Sequence, residues 1–111
     1  MATKTTIKRG DTGPAFRATL RDANGDAVNL SGATALFYMR DIKGQRTIKV
    51  SAGAMTIIDA PGGRVEYPWA AGDTDTAGLF DAEVQVTFGD GEVQTFPNND
   101  HHRVEVMEDI S

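Results

Sequence analysis

The sequence predicts an all-β fold: an antiparallel sandwich or barrel of about eight or nine short strands. Three observations predict it. Apolar and polar residues alternate with a period of two along most of the chain, and no window carries a stripe at helical spacing. Turn signals rich in Gly, Pro, Asn and Asp recur at roughly 8–12-residue intervals. Turns this tight leave no room for the long crossovers that a parallel sheet requires.

In AFRATLRD, Phe16, Ala18 and Leu20 alternate with Arg17, Thr19 and Arg21, the pattern of a half-buried strand. ANGDAV then holds Asn24-Gly25, a two-residue hairpin signal because a type I′ turn needs positive φ at both central positions. TALFYMRD places Ala35, Phe37 and Met39 on one face and Leu36 and Tyr38 on the other, which predicts a central strand or one with its outer face covered. DIKGQRTIKV reads as a strand end, a turn at Gly44 and a strand through Val50. A further strand spans Met55 to Asp59 and closes at Pro61-Gly62-Gly63. RVEYPW alternates Val65, Tyr67 and Trp69 against Arg64, Glu66 and Pro68; Pro68 lacks an N–H and belongs at a strand end or edge. LFDAEVQVTF is the clearest strand, with Phe80, Ala82, Val84, Val86 and Phe88 inward. Gly89-Asp90-Gly91 reverses the chain into EVQTFP, with Val93 and Thr95 on one face. NNDHH is a loop, RVEVM a last strand with Val104 and Val106 inward, and residues 108–111 a frayed tail. Gly-Asp-Thr occurs twice, at Gly10-Asp11-Thr12 and Gly72-Asp73-Thr74, with unmatched flanks and hence no internal repeat.

The chain has 111 residues, 40% of them hydrophobic and 24% charged, which suits one folded domain. Lys and Arg number 11 against 16 Asp and Glu, for a net charge of −5. This balance disfavours nucleic acid or an anionic membrane as partner, because both reward a basic stripe. Lys4, Lys8 and Arg9 form the only small basic cluster. The absence of cysteine excludes disulfides, thiolate metal sites and cysteine nucleophiles. MATKTTIKRG has no apolar signal-peptide core, and no apolar run approaches the ~20 residues of a membrane span.

Candidate sites are sparse. Arg9-Gly10-Asp11 has the form of an adhesion tripeptide, but Gly10 and an Asx-turn at Asp11 read as a turn before the first core strand. Asp22, Asn24 and Asp26 alternate like the opening of a calcium loop, yet its twelfth position is Ala33 and its flanks are strands. Asp73 and Asp75 read as caps of corner backbone groups. His101 and His102 point to opposite faces of an extended segment, so one chain does not direct both at one metal. Ser31, Ser51 and Ser111 lie in no nucleophile elbow, no phosphate loop is present, and no carboxylate sits in a strongly apolar stretch. The expectation is a non-enzyme without metal or cofactor. Tyr67 and Trp69 share a strand face and would make a sugar-stacking platform if exposed; otherwise they belong to the core or an interface.

Motif order carries more information than any single site. KRGDTGPAFRATLRDANGDAVNLSGATALFYMRD is followed by GRVEYPWAAGDTDTAGLFDAEVQVTFGDGEVQTFP and a short closing strand. This resembles the small immunoglobulin-like domain at the N-terminus of baseplate upper proteins and related tail or fibre components of tailed bacteriophages. The likeness covers Thr5 to Val106 and is most specific at Gly63–Trp69, Gly72-Asp73-Thr74 and Gly78–Pro97. It implies an antiparallel Ig-like β-sandwich that builds virions by protein–protein contact, and it carries over no catalytic residue. In long baseplate proteins of this kind a linker, helices and a receptor-binding or trimerising region follow, whereas this sequence stops at Ser111.

The resulting expectation is a capsid decoration protein or a tail or baseplate accessory, made in a bacterial host's cytoplasm and carried in the virion. Its partners would be other virion proteins and copies of itself, with a trimer favoured for decoration. A carbohydrate-binding or host-surface adhesion module is the alternative. Residues 1–8 are expected to form an arm outside a domain spanning 9–107. Thr5, Thr6, Ile7 and Lys8 are its docking strand, being β-prone and without a clear core role. Pro68 and Pro97 are expected to protect unpaired edges.

Overall fold

Gly78–Thr87, the longest alternating run, forms the strand on which most of the protein is assembled. The computed structural model describes residues 3–42, 48–70, 72–96 and 102–108. Nine strands follow in chain order: β1 (Thr3–Lys8), β2 (Phe16–Thr19), β3 (Thr34–Asp41), β4 (Ile48–Ala54), β5 (Thr56–Asp59), β6 (Arg64–Tyr67), β7 (Gly78–Thr87), β8 (Val93–Phe96) and β9 (His102–Met107). One sheet has the order β1-β9-β7-β3-β4, with β8 also on β7; the other is β2-β6-β5. Their stacking is an immunoglobulin-like sandwich, with β2, β6 and β5 standing as strands B, E and D against β9, β7, β3 and β4 as G, F, C and C′.

β8 and β9 share one edge of β7. Val84 pairs with Phe96 and Ala82 with His102, so β7 advances two positions while its partner passes from residue 96 to 102. The turn at Gly44 and residues 97–101, including Pro97 and His101, lie outside the described residues, and His102, expected at the end of the NNDHH loop, opens β9.

The inward faces meet in an aromatic cluster. Phe37, fully buried on β3, stacks on Tyr67 at 4.6 Å and 17°, and receives Phe16 at 4.7 Å and the edge of Trp69 at 5.7 Å. Val65, Leu20, Leu30, Val84, Val86, Phe96, Val104 and Val106 close around it. Burying a side chain of this size is worth about 1.5–3 kcal/mol, so this cluster is the main source of stability.

Local expectations shift in two places. The hairpin after β2 is not a two-residue turn: Asp22 N–H donates to Asp26 O and Gly25 N–H to Asp22 O, both at 2.9 Å. Ala23, Asn24 and Gly25 therefore form the loop, and of the pair only Gly25 has positive φ (88°). The cause is Asp22, whose Oδ1 accepts the N–H groups of Asn24 and Asp26 at 2.9 and 3.0 Å and so favours a turn plus left-handed glycine. On β8, Val93 is 52% exposed and Phe96 is the buried residue. Pairing decides this, since Phe96 faces inward Val84 and Val93 faces outward Thr87.

Gly63 has the strictest backbone requirement. Its φ is +69°, and a Cβ there would lie 2.7 Å from Leu20 O and 2.8 Å from Val28 O. Leu20 N–H donates to Gly63 O, and Val28 N–H to Leu20 O, so three chain segments meet where only glycine fits.

Candidate functional site

The N-terminal strand and the corners beside it contain most of the residues singled out by sequence. Thr5 to Lys8, expected in an arm without a core role, belong to an edge strand of the larger sheet. β1 runs parallel to β9 in unbroken register from Thr3↔His102 to Lys8↔Met107, and Ile7 is buried in the core. The partner strand lies at the far end of the sequence, which is why the pattern of residues 1–8 alone did not reveal it. Thr5 Oγ1 and His102 Nε2 are 2.9 Å apart, and the His102 ring meets Phe16 at 4.6 Å. Burial pushes the His102 imidazole below its ordinary range.

The ladder phase shows which amides of β1 remain outward. Arg9 N–H donates to Met107 O at 2.7 Å. In a parallel ladder a strand's bonds to one neighbour come from alternate residues. Thr5 and Ile7 therefore turn their N–H and C=O groups toward β9, whereas Lys4, Thr6 and Lys8 turn theirs away from it. Lys8 O is taken by Asp11 N–H at 3.1 Å, closing the Arg9-Gly10 turn.

That turn is tied to the second Gly-Asp-Thr segment. Gly10 N–H donates to Thr74 O at 2.9 Å, and Thr74 Oγ1 donates to Asp11 O at 2.7 Å. Thr74 is 1% exposed, the one buried polar residue among those described. Arg9 lies 3.8 Å from Glu108, a mostly exposed pair worth little in water. Arg9-Gly10-Asp11 is thus a stitched joint between β1 and the corner after β6. The two Gly-Asp-Thr segments have unmatched flanks and form no sequence repeat, yet they meet in space.

Asp73 organises the same corner. Its Oδ2 accepts the Tyr67 hydroxyl at 2.6 Å and Ala70 N–H at 2.8 Å, the capping role expected of it. Burial, then the bond to Asp73 and its charge, push the Tyr67 phenol far above its ordinary range. Asp75 instead pairs with Lys49 of β4 and accepts the Thr76 hydroxyl at 3.0 Å; the bond from Lys49 is the main reason its carboxyl is held below the usual range.

Tyr67 and Trp69 are 6% and 5% exposed, so the condition for a sugar platform is not met. They line the core beside Phe37, and Trp69 Nε1 is buried without a hydrogen-bond partner. The Asp22 carboxylate is spent on the backbone of its own turn, and among the described residues no three His, Asp or Glu side chains gather as metal ligands would. No helix of the described residues is long and apolar enough to cross a membrane.

No protein-family model matches the chain, and no curated protein matches it.

Proposed function

We propose that the protein is a non-enzymatic structural component of a tailed-bacteriophage virion, either a capsid decoration protein or a tail or baseplate accessory, that docks by protein–protein contact. One observation carries the reading furthest. The residues behind the phage resemblance fall on the joints of an immunoglobulin-like sandwich. Gly10-Asp11-Thr12 meets Gly72-Asp73-Thr74, Tyr67 and Trp69 enter the aromatic core, and Gly78 opens the central strand. Motifs spent on scaffold leave surface edges and end loops to recognise neighbours, which suits a module whose work is attachment. Its partners are other virion proteins and copies of itself, a trimer suiting threefold positions on a capsid. The sugar-binding alternative depended on an exposed Tyr67–Trp69 pair, and both rings are in the core.

Fractionation tests this reading. Particles purified from the producing host and dissociated into heads and tails should contain the chain in one fraction at many copies. Its absence from both fractions would overturn the reading.

A further inference from the structure

The docking reading does not say which surface docks, and the sheet edges differ enough to choose one. The β4 edge is broken by register shifts on both sides of Met39 and by Ala52 in a left-handed conformation, φ 55°. β2 and β5 are four-residue edges, and β5 also shifts register between Ile57 and Asp59. Bulged or very short edges are the usual protection against pairing with another chain. β1 has neither device. It is six residues long with unbroken register to β9, and the amides of Lys4, Thr6 and Lys8 are turned away from the sheet.

We propose, resting on the virion reading above, that this outward edge of β1 is the docking surface and that its occupant is an extended acidic segment of another virion protein, added as one more strand. Such strand addition draws affinity from main-chain hydrogen bonds and specificity from alternate side chains. The occupant's chemistry follows from the lysines. Lys4 and Lys8 stand at equivalent parity on either side of Thr6, β1 carries no carboxylate, and the chain as a whole has a net charge of −5. A second copy is disfavoured in both orientations. Antiparallel pairing about Thr6 sets Lys4 opposite Lys8, and in-register parallel pairing sets each lysine beside itself; like charges directly opposite destabilise a strand pair. A segment with carboxylates four residues apart on one face reverses both repulsions.

Particles from the producing host decide the matter in two steps. Mass spectrometry first establishes whether the chain is aboard; absence overturns the virion reading and this assignment with it. In particles that carry the chain, hydrogen exchange across Thr3–Lys8 should be at least about ten-fold slower than in the free protein. Exchange that stays as fast in the particle overturns the β1 edge alone and leaves the virion reading standing. Slow exchange already present in the free protein together with a dimeric mass gives the edge to a second copy and overturns the acidic occupant. Thr6→Pro supplies an independent arm, because it removes an outward N–H while sparing the β1–β9 ladder. The variant should unfold at the wild-type urea midpoint yet lose about ten-fold in particle occupancy, as should the doubly reversed Lys4→Glu/Lys8→Glu. A folded Thr6→Pro protein at full occupancy overturns the proposal.

Discussion

Thr74 Oγ1 donates to the main-chain oxygen of Asp11 at 2.7 Å, across 63 residues of sequence, while Thr74 O receives Gly10 N–H. The pair locks the entry of the first core strand to the corner that leads into the central one. Thr74→Val keeps the shape and removes the donor, so it should cost about 1–2 kcal/mol in urea unfolding, with Thr74→Ser recovering most of the loss. A Val variant as stable as wild type would show that the tie contributes nothing.

Gly63 and Gly25 both have positive φ, but only Gly63 is enclosed by backbone. Gly25→Ala meets open space and should cost about 1–2 kcal/mol from its conformation alone. Gly63→Ala adds contacts below 3 Å with Leu20 O and Val28 O, so its cost should reach about 3 kcal/mol or more. Equal midpoint shifts for the two variants would contradict the crowding around Gly63.

Ala52 holds φ 55° at an exposed bulge. Ala52→Gly relieves that strain and should raise stability by about 0.5–1 kcal/mol, with no change in denaturant slope. A loss of stability would mean that the bulge geometry is not retained in solution.

His102 is held neutral by burial, so its native-state value lies below the ordinary histidine value of about 6.5. A depressed native value means that the unfolded chain binds the proton first. Stability is therefore complete above about pH 6.5 and is lost as pH falls through the native-state value. Urea midpoints should drop between pH 7 and pH 5 in the wild type and drop less in His102→Gln. Parallel curves for the two proteins would remove His102 as the cause.

Tyr67 has the opposite sense. Its phenol is raised by burial and by Asp73, so the unfolded chain loses that proton first. The contribution is intact below about pH 10 and declines as pH rises past it. In a tyrosinate absorbance titration one of the chain's two tyrosines should ionise only with alkaline unfolding. Tyr67→Phe should cost about 1–2 kcal/mol at neutral pH and abolish the ionisation that accompanies alkaline unfolding. Ionisation of Tyr67 while the protein is still folded would refute the bond to Asp73.

Period-two alternation made the strands legible because each inward residue of β6, β7 and β9 had an outward polar neighbour. Features set by a distant partner were less legible. The inward parity of Phe96 depends on Val84, and the burial of Ile7 on β9 near the opposite end of the chain. The hairpin at Asn24-Gly25 carried the correct signal for a reversal, but the Asp22 carboxylate selected a longer loop. Asp73 was readable as a corner cap from its type and place. Thr74 was not, since nothing local distinguishes a threonine that reaches Asp11 from one that faces water.

The parallel pairing of β1 with β9 has a mechanical consequence. Thr3 lies beside His102 and Lys8 beside Met107, so tension drawing residue 3 and residue 107 apart slides the two strands lengthwise. All six paired positions then resist together, instead of opening one after another as in a peeled hairpin. A protein gripped at its two ends would take strain in the direction in which this ladder is strongest.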